Sequence, residues 1–200
     1  MNLIVLAASG RTGLALTRQA LERGHTVTAI ARDPRRIALD HENLRKVAGD
    51  VSDPASIAAV VGPDSVVLSG LGTETAGVLS AGAEAVVASG PARIIWLGAY
   101  GTGPSAEAAG EGAAVLEKFL GDRIPDKVAA DNAVLAAGGT VFHAGVLSDE
   151  PESPSRRTVG LDEGPPLDLR ATVGRETVAA AMLDEAEAPR FPGAVALPLS

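Results

Sequence analysis

The chain has 200 residues, 17 of them Lys or Arg and 25 Asp or Glu, for a formal net charge of -8 that opposes a phosphate backbone and argues against nucleic acid as a partner. It has no Cys, which excludes disulfides and thiolate metal sites, and its three scattered His offer no metal-ligand spacing, so no metal is expected. With 46% hydrophobic residues and a mean hydropathy of +0.19, residues 1–200 read as one folded domain with an aliphatic core.

Short apolar runs alternate with longer segments of helical period, the pattern of βαβ units around a buried parallel sheet. Strands are expected at Asn2–Leu6, 26–30, Leu44–Ala48 and 65–68, with helices over 13–23 and 54–61 between them, the second opened by Asp53-Pro54. Further on, 76–89 is helical, 93–97 a strand, 106–120 and 127–137 are helices, and 140–143 is a strand. Residues 145–168 are rich in Pro, Gly and charge and read as a long substrate-side loop, a candidate lid. A helix over 175–185 follows, and 194–197 is an expected edge strand. No apolar run reaches the roughly 18–20 residues of a membrane span, and no basic leader precedes the first strand, so a cytoplasmic location with no membrane partner is expected.

Residues 3–14, Leu-Ile-Val-Leu-Ala-Ala-Ser-Gly-Arg-Thr-Gly-Leu, combine a buried strand, a turn of small residues and a helix start. Small side chains let the backbone approach a pyrophosphate, and the amides at the positive helix end bind it. The candidate cofactor-binding residues here are Ala7, Ser9, Gly10, Arg11, Thr12 and Gly13. Ala7 stands where a glycine is usual, so this position either has ordinary dihedrals or carries about 1 kcal/mol of strain. Nineteen residues beyond Gly13, where a dinucleotide site meets the adenosine ribose, stands Arg32, with Arg35 and Arg36 close behind. This cationic cluster suits a 2′-phosphate and favours NADP (NADPH) over NAD, whereas Asp33 as the ribose ligand would point the other way. After the third strand, Asp50 and Val51 are candidates for the adenine, while Asp53 reads better as a helix N-cap. After the fourth, Ser69, Gly70, Leu71 and Gly72 form another small-residue turn at a carboxyl strand end.

These segments, namely 7–13, Arg23-Gly24-His25-Thr26-Val27 through Arg32-Asp33-Pro34, Gly49-Asp50-Val51-Ser52-Asp53-Pro54 and 67–72, resemble the atypical short-chain dehydrogenases with an NAD(P)H-binding Rossmann domain, including NmrA-like proteins and flavin or biliverdin reductases. A weaker likeness runs through 94–101, 127–147 and the helix from Arg175. The resemblance implies a Rossmann-type doubly wound parallel sheet with helices on both faces, and a nicotinamide cofactor. It also implies that Lys127 is the Lys of a Tyr-x-x-x-Lys pair, holding the nicotinamide ribose, but the Tyr position is then Arg123, a poor proton donor. Gly98 takes the place of a usual Ser or Thr, and His143-Ala144-Gly145 stands where Arg-Pro-Gly is expected. Tyr100, the only tyrosine, is the candidate to donate a proton or stack on substrate, or else a buried Tyr bonded to a neighbouring backbone group. His143 could titrate near neutrality or serve structurally.

A missing Tyr suits acceptors that take their proton from water, so the expected function is NADPH-dependent hydride transfer to a flavin, quinone or similar conjugated small molecule, bound in an Ala- and Gly-rich pocket beside Tyr100. The alternative is a non-catalytic NmrA-like NADP sensor acting through a protein partner. The chain is short for a sugar-nucleotide epimerase. A monomer or homodimer is expected.

Overall fold

The computed structural model describes residues 1–200. Strand β1 (Asn2–Leu6) buries every residue after Asn2, as an apolar run does when a strand is covered on both faces. It pairs in parallel with β2 (Thr26–Ala31) on one side and β4 (Val66–Ser69) on the other. Beyond β2 lies β3 (Leu44–Ala48), and beyond β4 lie β5 (Arg93–Ala99) and β6 (Thr140–Ala144), all parallel. The sheet has eight strands in the order β3-β2-β1-β4-β5-β6-β10-β8, where β10 (Val195–Leu199) runs parallel to β6 and β8 (Arg157–Gly160) is antiparallel to β10. Sheet growth reverses between β3 and β4, so a crevice opens at the carboxyl ends of β1 and β4. This is the expected Rossmann-type doubly wound sheet.

Helices α1 (Arg11–Glu22) and α7 (Arg175–Glu187) cover one face, where Leu16, Val178 and Met182 pack on Val5, Leu68 and Phe142. The other face carries α2 (Pro54–Ala58), α3 (Val78–Ala88) and α6 (Ile124–Ala136), with Ile57, Leu79 and Val134 against Leu6 and Trp96. Fully burying each such side chain contributes about 1.5–3 kcal/mol.

Three expectations for the second half are corrected. The helix over 106–120 is two, α4 (Ala106–Ala109) and α5 (Glu111–Leu120), broken where Gly110 takes φ +60°. The segment 145–168 is no structureless lid: it holds β7 (Val146–Ser148), which pairs with β9 (Thr172–Gly174), and it holds β8. The last strand, β10, is not an edge, because β8 covers its outer side and satisfies its ladder.

The junction between β1 and α1 takes the strained alternative. Ala7 has φ +54°, the one non-glycine residue in the left-handed region. A Cβ at Gly13 would lie 2.2 Å from the Ala7 carbonyl oxygen, so only glycine lets the helix start this close to the strand. Ala7→Gly is therefore expected to stabilise the protein by up to about 1 kcal/mol, strain relief outweighing the entropy of a freer unfolded chain. Gly13→Ala should cost more than about 2 kcal/mol by overpacking against backbone. Urea denaturation of both variants checks this, and a loss of stability in Ala7→Gly would contradict it.

Candidate functional site

The chain enters α1 through Gly10, which has no side chain to cap the helix, and its own amide is spent on the Ala7 carbonyl at 2.8 Å. The amides of Arg11, Thr12 and Gly13 have no acceptor within the chain, so the positive end of the helix faces the crevice with unspent donors. A cavity of about 360 Å³ opens there. It is lined by residues that follow carboxyl strand ends: Ala7, Ser9 and Gly10 after β1, Arg32 and Arg36 after β2, Asp50 and Val51 after β3, Leu71 and Gly72 after β4.

The remaining candidates lie around it rather than on its walls. Ser69 is fully buried and its hydroxyl accepts from the Leu71 amide at 3.3 Å, shaping the turn. A Cβ at Gly70 would come within 3.1 Å of the Gly13 nitrogen, so this glycine serves the close approach of β4 to α1. Arg11 turns away to Asp149, at 3.0 Å, a carboxylate that Arg175 also holds at 2.6 Å. Arg35 is corrected. Its side chain is 90% exposed and tied to Asp33, whose carboxylate also caps the turn at Pro34–Arg36 and is held below its usual pKa chiefly by that guanidinium. The next residue, Arg36, lines the cavity instead and makes no ion pair. An Asp-Pro-Arg-Arg turn carries a usable signal here, because its capping acid captures the nearer arginine and leaves the farther one free.

At the tip of β5 the expected hydroxyl position, Gly98, is filled from elsewhere. A Cβ there would meet His143 Cδ2 at 2.7 Å and Asp131 Oδ1 at 2.9 Å. His143 and Asp131 are buried and paired, with Nε2 to Oδ2 at 3.0 Å, while His143 Nδ1 lies 2.6 Å from the buried Ser105 hydroxyl. Burial of an ionisable pair demands such saturation. Asp131 lies one helical turn beyond Lys127 on α6, a spacing legible in the sequence, but Ser105 carried no signal. Lys127 is half-buried without a hydrogen-bond partner. Burial pushes its ammonium below the usual lysine pKa, Asp131 opposes that, and Arg123 reinforces it. Arg123 itself donates to the carbonyls of Leu120 and Phe119 at the end of α5 and stands far from a Tyr's role. Tyr100 is buried and its hydroxyl donates to the Pro165 carbonyl at 2.7 Å, with burial raising its pKa.

A second cavity, of about 340 Å³, lies at the carboxyl ends of β6 and β10. Tyr100, His143, Gly145 and Arg157 line it, and beside Ala171 its apolar walls are mostly the larger Pro165, Pro166, Leu167, Leu197 and Leu199.

The chain belongs to the NAD(P)H-binding family, which it matches over residues 7–189. Its fold is similar to that of ChuY, an anaerobilin reductase from Escherichia coli, at 20% identity and a TM-score of 0.81, covering 100% of this chain and 97% of ChuY. A short-chain dehydrogenase/reductase from Veillonella parvula in complex with NADP is 21% identical, with a TM-score of 0.79 and coverage of 100% and 94%. A Burkholderia pseudomallei protein labelled as exported is 26% identical, with a TM-score of 0.78 and full coverage of both chains. The NAD(P)H binding and the Rossmann fold expected from the sequence are thus the ones found. No helix is long and apolar enough to cross a membrane.

The first cavity fits a nicotinamide dinucleotide, since three unspent helix amides and the unpaired Arg32 and Arg36 call for anionic groups. Around Gly98, Gly98→Ala should destabilise by about 1–3 kcal/mol, and by clearly less in a His143→Ala background, where the colliding ring is gone. Equal costs in both backgrounds, by chemical denaturation, would contradict this packing. Because the folded chain releases the Lys127 proton more readily than the unfolded one, its contribution to stability rises as pH climbs through the folded pKa toward 10.5. Lys127→Met should accordingly exceed the parent in stability near pH 7, with the gap closing toward pH 10.5. A gap that widens with pH would overturn the assignment.

Proposed function

We propose that the protein is an NADPH-dependent reductase that passes hydride to a flavin, quinone or similar conjugated acceptor. One observation carries this reading. Two cavities open at the carboxyl edge of one sheet, one at β1–β4 with free arginines, the other at β6 and β10 with apolar walls, and the tip of β5 lies between them. The amides of α1 hold the pyrophosphate, Arg32 and Arg36 clasp the 2′-phosphate, Asp50 and Val51 meet the adenine, and Lys127 holds the nicotinamide ribose. When bound, the cofactor supplies hydride. A solved relative in complex with NADP and a reductase of similar fold are in keeping with this assignment.

No hydroxyl or imidazole near β5 holds a free proton for an alcohol-forming reduction, and the Lys127 ammonium is assigned to the nicotinamide ribose. The Tyr100 hydroxyl is committed to Pro165, both ring nitrogens of His143 are engaged, and Arg123 stays charged. An acceptor that draws its proton from water tolerates this. The same lack, with Phe119 70% exposed on α5 as a contact for a protein, supports the second reading, an NADP sensor without turnover.

Arg32→Ala should weaken NADPH binding by about ten-fold or more, with NADH changed less than about two-fold, since a charged hydrogen bond contributes about 1.5–3 kcal/mol. Arg35→Ala should change neither. Cofactor-fluorescence titration checks both, and equal losses for the two cofactors would remove the NADP assignment. Oxidation of NADPH by a flavin and quinone panel above the uncatalysed rate supports the reductase, while tight cofactor binding without it supports the sensor.

A further inference from the structure

Most arginines in this acidic chain are spoken for. Ion pairs hold Arg11, Arg18, Arg23, Arg35, Arg123, Arg156, Arg170 and Arg175, carbonyls hold Arg93, and Arg190 stacks on Phe191. The guanidiniums of Arg32, Arg36, Arg45 and Arg157 have no partner in the chain. Arg32 and Arg36 line the cofactor cavity, and Arg157 lines the second one. In β8, Arg157 shares a face with Val159, which is buried in the same core cluster as Tyr100 and Leu197. The ladder sets Arg157 opposite Leu199 and Val159 opposite Leu197, so an apolar strip leads up to the cation. The one carboxylate side chain on this cavity, Asp168, is occupied by Arg170 through two hydrogen bonds, of 3.0 Å each from the guanidinium, and does not neutralise Arg157.

We propose that Arg157 is a specificity-determining residue that selects acceptors bearing a carboxylate or phosphate, the flat apolar body lying against Pro165, Leu167 and Leu197 and the anion pairing with the guanidinium. This rests on the reading of the second cavity as the acceptor site. A fork of parallel N–H donors matches either anion, whereas a neutral acceptor of the same shape leaves the cation as it was.

The test needs neither cofactor nor turnover. 2-Naphthoate, 2-naphthyl phosphate and the neutral 2-naphthamide share one flat ring system, and their binding to the full chain can be measured by calorimetry and by NMR of the Leu197 methyls. The expected result is that at least one anion binds about ten-fold more tightly than the amide, with the Leu197 methyls shifting. Whichever anion prevails identifies the headgroup. Arg157→Gln should abolish the preference, Arg157→Lys should retain part of it, and Arg45→Gln, a free arginine on β3, should leave it intact; circular dichroism confirms folding. Equal binding of anions and amide, no binding of any probe, or loss of the preference in Arg32→Ala rather than Arg157→Gln would overturn the proposal. Because hydride transfer is assayed separately, a failed flavin and quinone panel with a retained anion preference would remove the reductase reading and leave Arg157 as an anion-binding residue of the second cavity, and the reverse outcome would remove only the role of Arg157.

Discussion

The carbonyl of Ala7 occupies the space where any side chain at position 13 would have to lie. That close approach fixes where α1 begins relative to β1, and the site follows from it. With the helix seated directly on the strand tip, its first amides, which no helix satisfies internally and which no side chain caps here, are left facing the crevice. Gly70 repeats the device from β4, drawing the next strand against the same helix start. Ala7 bears the conformational consequence, a left-handed backbone in a residue with a Cβ.

Charge is distributed around this geometry in a consistent way. A net charge of -8 gives a field that disfavours anionic ligands at long range. Locally, carboxylates neutralise most arginines, and of the four left without partners three, Arg32, Arg36 and Arg157, line the two cavities. The buried Asp131, His143 and Ser105 group closes the space at β5 where a hydroxyl side chain is usual, turning that strand end from a place for proton donation into a packed wall. The chemistry proposed for the site, hydride transfer to acceptors protonated by water, is what such a wall permits.

The first half of the fold was legible because its signals are local. Leu44–Ala48 was read with its observed bounds, and the turn at Ala7–Gly13 announced itself through residue size. The second half depended on distant partners. The four residues of β8 form a strand only because β10, nearly forty positions later, offers a ladder, so 157–160 carried no alternation long enough to recognise. The break at Gly110 was hidden inside a helical period. In the site, Arg32 was legible because its place after β2 is set by the fold. The choice between Arg35 and Arg36 turned on which guanidinium a capping carboxylate captures, and the role of Ser105 on a contact spanning 38 positions.

The proposed site requires that helix amides and strand-tip guanidiniums grip a phosphorylated adenosine. Isothermal titration of the protein with 2′-phospho-ADP-ribose and with ADP-ribose isolates that grip from the nicotinamide and from any acceptor. Both ligands should bind, the 2′-phosphorylated one about ten-fold or more tightly, with a difference that shrinks as salt is raised. Absence of heat with either ligand at millimolar concentration, or equal affinity for the two, would contradict it.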